Sequence, residues 1–420
     1  MDKPTLTVSH SFNWRRRITL IAATFGPGLM VMLADTDAGS IITAAQSGTQ
    51  WGYKMILPQI LLIPILYLVQ EVTVRLGIVT GKGHGELIRE RFGMKWALLS
   101  VVTLFLASVG ALVTEFAGIA GAGELFGIPS WLSVSAVTLI LIAIGLTGSY
   151  KRFERIGIAI GLFEVFFLVA AYLSHPNPAE MARGLTSMPL GSKDYVYLLA
   201  ANVGAVIMPW MVFYQQGAVL DKKLTIRDLK ATRWDTLCGS IVTQLIMIAV
   251  LITCAATIGK VNPGLTLNDV RQISDALEPF LGFFGAKLAF SLGIVGAGII
   301  ASLVVSVAGA WGIGEVFGFN KSLNHKVKDA KIFYLIYTLA HVGGAILVIC
   351  SVNLVKITLD VEVMNAMLLP IVLGFLLVLE AKALPKEQRM KGFHKYLVWS
   401  LSGIVMVFGL YMSISSIFSS

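Results

Sequence analysis

The stretch Leu33-Ala34-Asp35-Thr36-Asp37-Ala38-Gly39-Ser40-Ile41-Ile42-Thr43 sets two aspartates in the middle of the first long apolar run of the chain. A charged side chain at the centre of a bilayer costs about 2.5 to 3.5 kcal/mol on insertion scales, so residues of this kind face a cavity or a partner. The rest of the chain must supply whatever compensates Asp35 and Asp37.

The chain of 420 residues is 56% hydrophobic and only 14% charged, with a mean hydropathy of +0.79. Soluble domains carry roughly 25% charged residues, so this balance indicates a polytopic membrane protein. The net charge of +9 then reads as membrane orientation rather than as nucleic-acid binding.

Runs of about 20 apolar residues, the length that crosses the hydrocarbon, fall at 18–45, 55–79, 96–125, 131–149, 156–174, 194–219, 234–259, 284–316, 331–350, 359–380 and 396–417. Eleven spans with the N-terminal segment 1–17 in the cytoplasm place Lys3, Arg15, Arg16 and Arg17 inside, and the following loops alternate between basic and non-basic. Twenty-five Lys and Arg fall on the inner side and seven outside. That asymmetry predicts a cytoplasmic N-terminus and an outward C-terminus. No cleavable signal appears, and the short loops point to a bacterial plasma membrane. Cys238, Cys254 and Cys350 lie in or beside spans without CxxC spacing and read as buried bystanders. The segment Leu220–Asp235 reads as a solvated connector able to form a short amphipathic helix, and Glu71, four residues before Arg75, as an intrahelical ion pair.

Two spans are interrupted. In the first, Gly26-Pro27-Gly28 precedes the break at Asp37-Ala38-Gly39-Ser40; in the sixth, Gly204 and Pro209 break the run, and the proline's missing N–H frees the Ala205 carbonyl. Non-helical backbone survives at membrane depth only where it lines a cavity or is buried in protein. A lone proline or glycine is often just a kink. Two interrupted helices five spans apart, one with a carboxylate, instead match an inverted-repeat transporter with its site at the midplane. The expected fold is all-α, LeuT-type, with a first repeat over 18–174, a second over 194–380, broken helices 1 and 6, and an added helix over 396–417. The whole chain forms one transmembrane domain.

That arrangement predicts that Asp37 and Met208 meet. Asp37, the Ser40 hydroxyl and carbonyls near Ala34 and Ala205 are hard oxygen donors suited to a divalent cation, while the Met208 thioether is either a soft ligand or packing. Asp35 would point roughly 200° from Asp37 in regular helix, but an unwound segment can bring both toward the vestibule; Asp35 reads either as an electrostatic contributor and outer-shell ligand or as a gate or polar contact with a neighbouring helix. Glu115, Glu164 and Glu362 are further acids inside spans.

These motifs resemble the natural-resistance-associated macrophage protein (NRAMP) family of divalent metal transporters. Its first helix carries GPG followed by Asp-Pro-Gly-Asn, and its sixth carries Gly-Ala-x-x-Met-Pro-His. Here they stand as Gly26-Pro27-Gly28, Asp37-Ala38-Gly39-Ser40 and Gly204-Ala205-Val206-Ile207-Met208-Pro209-Trp210, and the stretch from Arg75 to Gly93 is similar to the family's loop after helix 2. The resemblance implies metal ligation by Asp37, Ser40, Ala205, Met208 and Ala34. It adds Asp35, Trp210, Glu115, Glu362 and Gln215 along the pathway.

The departures from the family narrow the reading. The family's Asn becomes the shorter Ser40, leaving room for water; its two histidines of helix 6 fall at Trp210 and Gln215; and an aspartate of helix 3 falls at Leu112. Neither Trp nor Leu relays a proton, so coupling to protons should be weak or absent. Mg²⁺ keeps several waters when bound, which fits a roomier site with hard ligands. The pattern resembles the NRAMP-related magnesium transporter subgroup, with Mn²⁺ also accepted because Met208 is kept.

The alternatives are a proton-coupled Mn²⁺ or Fe²⁺ importer and an amino-acid transporter of the same fold, whose substrate carboxylate Asp37 should repel. A membrane enzyme is a further alternative, for which no HExxH, GxSxG or GxxxxGK[ST] pattern is present. The expected partners are the metal-ion substrate and the lipid bilayer. The sequence suggests no cofactor, nucleic acid or obligate protein partner.

Overall fold

Gly26 adopts a φ of +146°, a conformation side chains rarely take, and Pro27 follows with its φ already fixed for a helix, so the first described helix, α1 (Pro27–Asp35), starts here. The computed structural model describes residues 26–268, 270–275, 278–350 and 354–419. The basic segment with Lys3 and Arg15–Arg17, and the start of the first expected span, lie outside them.

After a two-residue break, α2 (Ala38–Trp51) continues the first span, followed by α3 (Ile56–Thr80), α4 (His84–Phe92), α5 (Met94–Glu124), α6 (Ser130–Gly145), α7 (Tyr150–Gly161) and α8 (Phe166–Leu173). The loop beyond carries α9 (Pro178–Leu185). The sixth span is α10 (Lys193–Val206) and α11 (Pro209–Asp221), and α12 (Leu229–Ala256) is the seventh. Two short helices, α13 (Ile258–Val261) and α14 (Arg271–Asp275), lead to α15 (Glu278–Phe317), α16 (Lys331–Ile349), α17 (Leu354–Ala383) and α18 (Gly392–Ser419).

Each of the eleven expected spans has a helical counterpart. Nine stretches among the described residues are long and apolar enough to cross a membrane; Ala38–Thr80 joins α2 to α3 in one of them, and Ser130–Gly145 is shorter. The boundaries shift where polar caps outrank hydropathy. Leu220–Asp235 is the end of α11, a 3₁₀ turn at Ile226–Asp228 held by a Thr225–Asp228 capping box, and the start of α12, and not a separate amphipathic helix. Cys254 is buried as expected, but Cys238 and Cys350 face outward from the bundle; all three are free thiols.

Two groups of helices position the breaks. α12 packs along α1, α2 and α3, and α11 lies against α3; separately, α5, α6, α15 and α16 pack on one another, with α7 and α8 against α15. Close approach depends on missing side chains. A Cβ at Gly204 would collide with the Glu362 backbone carbonyl, which is how α10 comes flush against α17.

One end of the bundle is closed by ion pairs. Glu71 bonds Arg75 at 2.9 Å within α3, as its spacing predicts, and also Arg233 of α12 at 2.6 Å, while Arg75 lies 3.6 Å from Glu380 of α17. Arg75 also donates to the Gln388 carbonyl at 3.0 Å. One buried guanidinium thereby ties α3 to the end of α17 and the loop after it.

Candidate metal-ion site

The first break falls at Thr36–Asp37. Asp37 is an N-cap with extended backbone, and its Oδ1 accepts the Ser40 N–H at 2.6 Å, the usual way an aspartate satisfies an orphan donor of a first turn. Ala38, Gly39 and Ser40 are therefore helical, whereas the sequence suggested that they shared the unwound segment. The Ala38 N–H, which in a continuous helix would meet the Ala34 carbonyl, instead donates to Glu115 Oε2 of α5 at 3.0 Å. Ala34 thus loses its regular helical donor, as expected of a carbonyl at a break.

Thr36 is pinned from the other side. Its hydroxyl is hydrogen-bonded to the Thr243 hydroxyl of α12, and Thr243 donates to the Met32 carbonyl at 2.5 Å. At the far end of α1, the Gly26, Gly28 and Leu29 N–H groups donate to the Asp235 carboxylate at 3.1, 2.7 and 3.1 Å. A carboxylate at a helix N-terminus also opposes the positive end of the macrodipole.

In the second repeat, α10 ends at Val206, and Met208, extended at φ −86° and ψ 140°, precedes Pro209 at the first position of α11. The Ser40 hydroxyl donates to the Ala205 carbonyl at 2.8 Å, so the two breaks touch and two of the expected oxygen donors are joined to each other. The Trp210 indole N–H donates to Met208 Sδ at 3.0 Å. The residue standing where the family has histidine is thus turned onto the thioether.

Glu362 completes the arrangement. Gly39 leaves room for it: a Cβ there would overlap Glu362 Oε1 and lie 3.1 Å from Thr114 Oγ1. Its Oε2 accepts Asn365 Nδ2 at 3.0 Å, while Oε1 has no partner. Glu362 therefore borders both broken helices, through its side chain at Gly39 and its backbone at Gly204. Asp35, Asp37, Ser40, Glu115, Met208 and Glu362 are all at most 2% exposed, so the site is shut off from solvent in this conformation.

The charge at this place is one-sided. Asp35 lies within electrostatic reach of Asp37 and Glu362, Asp35 Oδ1 and Asp37 Oδ2 have no hydrogen-bond partner, and none of these acids forms an ion pair among the described residues. Among the described residues no three His, Cys, Asp or Glu side chains stand close enough to chelate a metal by themselves. A bound ion would instead draw on a mixture of carboxylate, carbonyl, hydroxyl and water. Gln215 is fully buried with both amide atoms unpartnered, so it is available to a water or an ion.

The sequence reading missed Asp235, Thr243 and Asn365. Asp235 looked like the end of a solvated connector; Thr36, directly between two aspartates, was the local signal that something must hold the break.

Paired broken helices in two five-helix repeats, with unpaired acids at the break, define a membrane transporter of the inverted-repeat class. A solved structure of the Eremococcus coleocola manganese transporter superposes with a TM-score of 0.78 at 20% identity, covering 99% of this chain and 89% of that one. A Na⁺-coupled sialic acid symporter shares the fold at a TM-score of 0.61 and 16% identity, covering 92% and 88%.

The chain belongs to the natural resistance-associated macrophage protein-like family, whose profile it matches over residues 28–415. It is 27% identical over 327 residues to the metal transporter Nramp3 of Oryza sativa subsp. japonica, covering 74% of this chain and 58% of the rice protein. It is 26% identical over 296 residues to the divalent metal cation transporter MntH of Klebsiella pneumoniae (strain 342), covering 68% and 70%. These relatives and structural neighbours are transporters, and none is described as an enzyme.

Proposed function

We propose that this chain imports divalent cations, chiefly Mg²⁺ carrying part of its water shell and also Mn²⁺, with weak or no proton coupling. The observation that carries the reading is the Trp210 N–H on Met208 Sδ. It occupies a lone pair of the one soft donor and puts an indole, which cannot titrate, where the family keeps a base. The donors left are the Asp37 carboxylate, the Ser40 oxygen and the Ala34 and Ala205 carbonyls, all of the hard kind that Mg²⁺ prefers. Leu112 is likewise buried and apolar where the family has an acid, and Gln215 is neutral.

Asp35, Glu115 and Glu362 add negative potential around a hydrated ion without needing to touch it. A double charge gains about 4.6 kcal/mol from a potential of 100 mV, enough to draw Mg²⁺ inward without a proton gradient. This reading places the basic loops and the N-terminus in the cytoplasm of a bacterial cell. Alternating access then comes from α1, α2, α3, α11 and α12 rocking against α5, α6, α15 and α16.

The test uses liposomes containing the purified protein, an internal Mg²⁺ indicator and an internal pH dye. Mg²⁺ uptake without acidification, competed by external Mn²⁺, is the expected result. Mn²⁺ uptake accompanied by protons, with Mg²⁺ neither moved nor competing, returns the chain to proton-coupled importers and contradicts the reading.

A further inference from the structure

Glu164 has no role in the site described above. It lies in the 3₁₀ turn Leu162–Val165 that interrupts the fifth span between α7 and α8, and it is completely buried. The Thr36 hydroxyl lies beside its carboxylate, but the residue is in no ion pair among the described residues. A buried charge is stable only when it is paired, coordinated or neutralised, and the requirement is strictest inside a membrane span. A 3₁₀ turn in mid-helix is moreover a common mark of a functional hinge.

The packing of α7 decides where this carboxylate points. A Cβ at Gly157 would run into the Met30 side chain, and one at Gly161 would lie 3.0 Å from Leu33, so α7 rides directly on α1. On its other side, Gly296 of α15 brings that helix against Ile160 and Phe163. Glu164, less than one turn beyond Gly161, therefore reaches the end of α1. It stands beside the Thr36 hydroxyl and within electrostatic reach of Asp37 and Asp35.

The repeat gives this position a meaning. The fifth helix of the second repeat is α17, and its Glu362 borders the breaks at Gly39 of α2 and Gly204 of α10. The fifth helix of the first repeat is α7 with α8, and its Glu164 borders the same break from the α1 side, at Thr36. Each repeat thus brings one buried glutamate, with at least one oxygen unpartnered, to the point where the first span is broken. The positions they border, Thr36 and Gly39, lie on opposite sides of Asp37 along the chain.

We propose that Glu164 is a second station for the transported divalent cation, holding it through its bound water as it passes from Asp37 along α1. The inference rests on the reading of the chain as a divalent-cation transporter. It adds a residue that touches the hydrated cargo on the α1 side of the break, across from Glu362, which borders the break on the α2 side.

The test compares wild-type protein, Glu164→Gln and Glu164→Asp in liposomes, measuring saturating Mg²⁺ and Mn²⁺ uptake beside equilibrium Mg²⁺ binding and the melting temperature of the same preparations. Glu164→Gln keeps the shape and removes the charge. The expected result is a loss of maximal Mg²⁺ uptake of about tenfold in Glu164→Gln, recovery to at least half in Glu164→Asp, and Mg²⁺ binding at Asp37 within about twofold of wild type. Wild-type uptake in Glu164→Gln overturns the proposal. So do equal losses in both variants with a lowered melting temperature, since those assign Glu164 to packing. If wild-type protein moves Mn²⁺ but no Mg²⁺, the magnesium reading fails by itself, and the station is decided by applying the same comparison to Mn²⁺.

Discussion

Two sets of buried acids sit in this protein, and they are neutralised in opposite ways. Glu71 and Glu380 share Arg75 and Arg233, with contacts of 2.6 to 3.6 Å. Asp35, Asp37, Glu115, Glu164 and Glu362 cluster at the break of the first span and share no cation among the described residues. Burial alone therefore does not mark a functional acid. What separates the sets is whether the fold supplies the counter-charge or leaves it to be brought by an ion.

The first set should behave as structure. Arg75→Ala leaves the buried Glu380 without a counter-charge and Glu71 with Arg233 alone, and should cost about 3 to 5 kcal/mol, seen as a large fall in melting temperature. Uptake per folded molecule should stay near wild type. A variant that melts normally but cannot transport would erase the distinction between the sets.

The region around α4 follows the same rule without charge. His84 is fully buried against Gln216, its Nδ1 3.2 Å from Gln216 Oε1, and burial pushes its pKa down to about 4, with the Gln216 bond opposing. The folded pKa is below the unfolded one, so the stabilisation is present above about pH 6.5 and is lost as the pH falls toward 4. The loss should reach about 3 kcal/mol at 1.36 kcal/mol per unit. Melting curves of wild type and His84→Gln across that range check it: the acid-side decline should be shallower in the variant.

Asp235→Ala removes three backbone hydrogen bonds to a carboxylate at the start of α1 and should destabilise by about 2 kcal/mol. If α1 must move during transport, the loosened helix should also change the uptake rate; thermal melts beside initial rates separate the two effects. The smallest effect has the opposite sign. Glu362→Gln relieves repulsion within the unpaired set and should stabilise by roughly 1 kcal/mol, the common gain when a strained functional site is relaxed. Mg²⁺ uptake should fall several-fold, and a destabilised Glu362→Gln would place this residue with the structural acids instead.

How much of this the sequence held depends on distance along the chain. The Glu71–Arg75 pair was legible because four residues span one helical turn. The breaks were legible because glycine, proline and aspartate act on their own backbone. The N-cap at Asp37 was not read: the sequence put Ala38, Gly39 and Ser40 in the unwound segment, whereas they form the first turn of α2. Asp235 was not legible: it caps Gly28 from 207 residues away, and no local pattern announces a partner at that range. The same is true of Glu362 at Gly39, and of Glu164, which sequence alone shows only as an acid in an apolar span. For Trp210, the sequence showed which base was missing but not that the indole turns onto Met208. That contact required the backbone of the second break.

The most direct measurement is calorimetric titration of Mg²⁺ into purified wild type, Asp37→Asn and Arg75→Ala. If the unpaired set waits for a cation, wild type binds Mg²⁺, Asp37→Asn loses that binding, and the folded fraction of Arg75→Ala keeps it. Equal binding by wild type and Asp37→Asn would contradict the account and leave the buried acids at the break without the partner assigned to them here.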